Sequence, residues 1–144
     1  MTGRDFDKLH DEMEELFADL WQVPRFSGIR RGFRPNVDSY HTLDPHELTV
    51  VVELPGVDPA SVQVVAGERV LLIAGERRRP KVAGHVYHQM EIEYGPFQRQ
   101  VRLPEDVDPD AARAQFENGV LTVSLPVSTK EPVHDRIVIK VDLG

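Results

Sequence analysis

The sequence predicts an all-β fold, an antiparallel sandwich of two packed sheets. Three observations carry that expectation. Short runs alternate in polarity, as strands with one buried face do. Gly and Pro punctuate those runs at regular intervals. From Val37 to Pro126 no helical pattern of convincing length interrupts them, which counts against a parallel α/β sheet.

Ahead of the strands, residues 5–21 read as an amphipathic helix. Phe6, Leu9, Met13, Leu16, Phe17 and Leu20 recur at spacings of three and four, with Asp and Glu on the opposite face. Asp5 can cap the first turn, and Pro24 blocks continuation soon after Trp21. Such a stripe either packs onto its own domain or is left for other chains. Gly28 to Pro35 then reads as a linker. Arg25, Arg30, Arg31 and Arg34 cluster around it, as expected of a solvated connector.

The strand pattern begins at Val37. Leu48, Val50, Val52 and Leu54 form one inward face, ended by Pro55-Gly56. Val62, Val64 and Ala66 form another, and Gly67-Glu68 turns the chain into Val70 to Ala74. Phe97, Val101 and Leu103 follow, closed by Pro104. The strongest local signal is a hairpin: Ala112, Ala114 and Phe116 lead into Asn118-Gly119, and Leu121, Val123 and Leu125 lead out to Pro126. A two-residue type I′ turn needs positive φ at both central residues, which Asn and Gly adopt most readily.

Two stretches break the rhythm. Between Arg77 and Gly95 the run Arg77-Arg78-Arg79-Pro80 is a poor core strand and Gly84 loosens the backbone, yet Val86 to Met90 forms a short extended piece. A connection this long inside a compact domain is usually functional or ordered by a partner. After Pro126 a polar run containing Pro132 leads to an isolated strand-like patch, Arg136 to Val141, with too few apolar residues for a core of its own.

Composition narrows the function classes. A chain of 144 residues with 40% hydrophobic content holds one domain plus tails. The net charge of −7 disfavours non-specific binding to nucleic acid or anionic lipid. No apolar run approaches the roughly 20 residues of a membrane-spanning helix, and no export segment is visible at the N-terminus. The absence of cysteine removes disulfides, zinc-thiolate sites and thiol nucleophiles; a cytoplasmic location fits. No P-loop, dinucleotide fingerprint or Gly-x-Ser-x-Gly elbow occurs, so neither an enzyme nor a cofactor is expected. His85 and His88 fall on opposite faces of an extended chain, and His41 and His46 flank a turn at Asp44-Pro45; metal is not expected.

Several motifs together resemble the α-crystallin domain of the small heat-shock protein family. Ala114-x-x-x-Asn118-Gly119-Val120-Leu121 is similar to its signature hairpin. Glu53-Leu54-Pro55-Gly56-Val57 resembles its Leu-Pro-Gly strand exit, Gly75-Glu76-Arg77 its Gly-Glu-Arg/Lys exit, and Tyr94 to Pro104 the strand before the hairpin. Ile137-Val138-Ile139 matches the tail's Ile-x-Ile motif, although this patch continues to Val141. The resemblance implies an immunoglobulin-like sandwich of seven to nine strands at residues 37–127, a helical arm at 1–36 and an extended tail at 128–144. It further implies a dimer formed by exchanging a loop strand, larger homo-oligomers, and ATP-independent holding of unfolding proteins. The alternative is a monomeric or dimeric sandwich adaptor, related in fold to co-chaperone domains of the same superfamily.

On this reading the oligomer contacts are Ile137, Ile139, Arg99, Tyr87, His88 and Met90. Client contacts are Phe6, Leu9, Met13, Phe17, Leu20 and Trp21. Arg99 shares a strand face with Phe97, Val101 and Leu103, so its guanidinium must be paired or reach the rim. Glu91 and Glu93 are candidate partners, and the resemblance favours a subunit contact. Ile137 and Ile139 can fill paired pockets while their backbone extends a sheet, or can form a final strand of the same subunit.

Overall fold

A computed structural model describes residues 32–67, 69–129 and 136–143. The helix expected at residues 5–21 lies outside them. The order is β1 (Val37–Leu43), β2 (His46–Glu53), β3 (Gln63–Gly67), β4 (Val70–Arg77), β5 (Gly95–Arg102), β6 (Arg113–Glu117), β7 (Val120–Pro126), β8 (Ile137–Ile139) and β9 (Val141–Leu143).

Two sheets result: β1-β2-β7-β6-β9 and β5-β4-β3-β8. Leu48, Val50, Val52 and Leu54 point inward as expected, and Val50 pairs with Val123 at the centre of the first sheet. Val64, Ala66, Leu71, Ile73 and Phe97 meet them from the second sheet. Each fully buried Val or Leu is worth about 1.5–3 kcal/mol, so the alternation itself fixes which face turns in.

The chain crosses between sheets at two short 3-10 turns, Pro59–Ser61 after β2 and Pro109–Ala111 after β5. Both use the same device. An Asp caps the turn and Pro follows it: Asp58 Oδ1 accepts from Ala60 N at 3.0 Å, and Asp108 Oδ1 from Asp110 N at 3.1 Å.

The β6–β7 hairpin turns as its sequence requires, with φ of 53° at Asn118 and 76° at Gly119. Its tip seats against the exit of β2. Leu54 N donates to Gly119 O at 2.7 Å, and a Cβ on Gly119 would stand 3.2 Å from Pro55 Cα.

One pairing departs from the antiparallel expectation. β8 runs antiparallel to β3, but β9 runs parallel to β6. The tail crosses from one sheet to the other at Lys140 without reversing direction, so its second half meets β6 with the opposite sense.

Candidate functional site

The connection from β4 to β5 is rooted on a buried arginine. Arg77 ends the inward register Leu71-Ile73-Gly75-Arg77, and only 9% of it is exposed. Its Nη1 donates to Pro55 O at 3.0 Å, its Nε to Glu93 O at 2.8 Å, and its Nη2 also to Glu93 O. The guanidinium carbon lies 3.6 Å from the Phe33 ring centroid, and Phe33 meets Phe97 edge-on at 5.8 Å. Gly75 makes room for that stack, because a Cβ there would come within 2.7 Å of Phe97 Cζ. Arg77 therefore ties together the exit of β2, the approach to β1 and the end of the loop. Sequence reasoning missed it by grouping Arg77 with its basic neighbours Arg78 and Arg79; the alternation through Leu71 and Ile73 was the available signal.

Above this root, residues 78–94 form no strand of their own. Val82, Val86, Tyr87, Met90 and Ile92 are all exposed, Val86 to 78%. Tyr87 touches His85 at 4.6 Å between centroids, while His88 stands exposed. The extended piece predicted at Val86–Met90 therefore has no partner strand among the described residues.

An unused edge exists elsewhere in the chain. Among the described residues, β1 is the outer strand of the five-stranded sheet and pairs only with β2. All its residues but Val37 are exposed, including Tyr40 and Leu43. An edge like this offers unpaired N–H and C=O groups to another strand.

Arg99 lies on β5, opposite Ile73 of β4. It is half-buried, and its Nη1 donates to Pro35 O at 2.8 Å. Burial first, and then the charge of Arg34, hold its guanidinium below the usual arginine range. Among the described residues of its own chain its acceptor is this carbonyl, and Glu91 accepts from Gln89.

The tail closes the open side of the sandwich. β8 extends the four-stranded sheet at β3, where Ile139 pairs with Val64 and Ile137 with Ala66. Ile139 is 5% exposed and belongs to the core cluster; Ile137 is half-buried. Val141 then packs against the same core while pairing with Ala114. Here the two isoleucines lie against their own chain, the second of the two arrangements the sequence allowed. The strand order puts them and Arg99 on opposite edges of one sheet. Phe6, Leu9, Met13, Phe17, Leu20 and Trp21 lie outside the described residues.

Comparison with known proteins gives a consistent result. Residues 41–142 match the Hsp20/alpha crystallin family. The chain is 37% identical over 142 residues to the 17.8 kDa class I heat shock protein of Solanum lycopersicum, covering 96% of this chain and 89% of that one. It is 36% identical over 107 residues to the 22.0 kDa heat shock protein of Arabidopsis thaliana, covering 73% of this chain but 54% of that relative. Among solved structures, heat shock protein 16.0 from Schizosaccharomyces pombe superposes with a TM-score of 0.62 at 32% identity, covering 75% of this chain and 99% of the other.

Proposed function

The chain belongs to the Hsp20/alpha crystallin family, and we propose that it is an ATP-independent holdase built from loop-exchanged dimers. The observation that carries this reading is the pairing of an orphan with a vacancy. The β4–β5 loop exposes Val86, Met90 and Ile92 on a fixed root, and among the described residues the outer edge of β1 is unpaired. The loop of 17 residues, Arg78 to Tyr94, forms no strand in its own chain, and it can add one to the β1 edge of a second copy. Tyr87, His88 and Met90 then lie at the subunit contact, and a carboxylate of the second copy answers Arg99.

Larger assemblies follow from the tail. The groove between β3 and β6 takes Ile137, Ile139 and Val141 from its own chain or from a neighbour by the same pairings, a polar run containing Pro132 separating the tail from β7 in sequence. Phe6, Leu9, Met13, Phe17, Leu20 and Trp21 supply apolar surface to unfolding clients. Removing that surface from water yields about 25 cal/mol per Å², and many weak contacts on one assembly add by avidity. The clients are proteins rather than nucleic acid or membrane, in keeping with the net charge of −7, and the work is cytoplasmic and non-catalytic.

Suppression of client aggregation without nucleotide, measured beside light scattering, tests the whole reading. The parent chain should suppress aggregation near equal subunit ratios and run as an oligomer. Met90→Asp with Ile92→Asp should shift the size toward monomer. A parent chain that is monomeric, or inert toward clients, contradicts the proposal.

A further inference from the structure

At the root of the β4–β5 loop the chain concentrates positive charge against its overall sign. Arg77, Arg78, Arg79 and Lys81 fall within five residues of a chain carrying −7. With Glu76, Tyr94 and Gly95 they line an open cleft of about 510 Å³, within the range typical of small-ligand sites. The one acid lining it, Glu76, is engaged by Arg78 Nε at 3.6 Å. Arg77 is consumed by the carbonyls of Pro55 and Glu93 and forms a rigid wall.

Arg79 and Lys81 are different. Arg79 is half-buried, its guanidinium carbon 4.5 Å from the Tyr94 ring centroid and 5.1 Å from that of Tyr87. Those contacts fix its position without using its N–H donors. Lys81 is exposed, and among the described residues neither side chain has an ion-pair partner. Of the loop's acids, Glu91 accepts from Gln89, and neither Glu91 nor Glu93 lines the cleft.

We propose that this cleft binds a short inorganic polyphosphate chain, gripped by Arg79 and Lys81 with Arg78 at the rim. A planar guanidinium fork and a mobile ammonium are the two groups best suited to phosphate oxygens. Several cations packed into one cleft call for several negative charges at close spacing. Linked phosphates provide that, whereas the carboxylates of an acidic peptide are held apart by backbone. A nucleotide has no advantage here, because Arg79 already covers the Tyr94 and Tyr87 rings on which a base would stack. The cleft is separate from the tail groove but sits at the root of the loop that the proposed dimer exchanges; its gripping cations, Arg79 and Lys81, are not among the residues placed at that contact.

Isothermal titration of the full chain with sodium triphosphate at low salt and pH 7 tests this. One saturable site per subunit is expected, weakening as salt rises. Arg79→Gln with Lys81→Gln should weaken binding at least tenfold with the circular dichroism spectrum kept, and Lys81→Gln alone, at an exposed position, should weaken it several-fold. Arg102→Gln, at the opposite end of β5, should bind as the parent does. ATP should bind no tighter than triphosphate, and a peptide of consecutive glutamates at least tenfold more weakly. The proposal is overturned by no saturable binding, by parent-like affinity in the Lys81 and double variants, by tenfold preference for ATP, or by equal affinity for the peptide.

Discussion

Replacing Ile137 and Ile139 with Ala should release the tail from the sandwich. Each substitution deletes three side-chain carbons, and a buried carbon is worth about 0.8 kcal/mol. Ile139 is 5% exposed, so its loss approaches the full value, about 2.4 kcal/mol. Ile137 is half-buried and loses about half as much, about 1.2 kcal/mol. Together they weaken docking by roughly 400-fold, at about 1.4 kcal/mol per tenfold. The β3 edge then loses its partner at Val64 to Ala66, and the β6 edge loses β9 at Ala114 to Phe116. Hydrogen–deuterium exchange read by mass spectrometry should show faster exchange in residues 137–143 and along β3, with the β2–β7 pair unchanged. Light scattering should show a shift toward dimers if, as proposed, the same groove takes a neighbour's tail. Unchanged exchange in the tail of the double variant would refute the docking scheme.

Two further outcomes follow from contacts within the sandwich and a third from the proposed client surface. Gly75→Ala drives a methyl to 2.7 Å from the Phe97 ring and should cost about 1–3 kcal/mol, visible as a lower unfolding temperature; an unchanged melt contradicts the packing. Arg99→Gly removes the donor to Pro35 O and should cost about 1–3 kcal/mol while giving larger or polydisperse assemblies. Arg99→Lys should fall between, because an ammonium keeps the charge and a donor but not the position of Nη1, and parent-like size and melting in Arg99→Gly would make it a simple rim residue. Phe6→Ser with Phe17→Ser and Trp21→Ser should weaken client protection with the β-rich spectrum retained; undiminished protection at equal subunit concentration means that clients bind elsewhere.

The sequence made the core strands legible because burial on one face imposes period two. Leu48 to Leu54 and the Asn118-Gly119 hairpin read directly, and both pack as expected. The strand pattern was read from Val37 onward, but no inward face could be assigned to β1, because an exposed edge has none to alternate: every residue from Asp38 to Leu43 is solvated. Arg77 was hidden by its neighbours, since a buried arginine satisfied by carbonyls looks in sequence like part of a basic surface run. The tail's division into β8 and β9 was also invisible. Lys140 keeps the alternation going across the crossover, so one apolar patch concealed pairing with two different sheets. The 3-10 turns carried a readable signal in Asp58-Pro59 and Asp108-Pro109, which propensity for strands alone passes over.

Because the chain contains no cysteine, single engineered thiols report contacts without background. Mixing a Tyr40→Cys chain with a His88→Cys chain and adding a short bis-maleimide tests loop exchange directly. The account predicts a covalent heterodimer in high yield from the mixture, lost when Met90→Asp and Ile92→Asp are added to the His88→Cys chain. A mixture that remains monomeric on a denaturing gel, although each chain alone is folded and labels fully with maleimide, would contradict it.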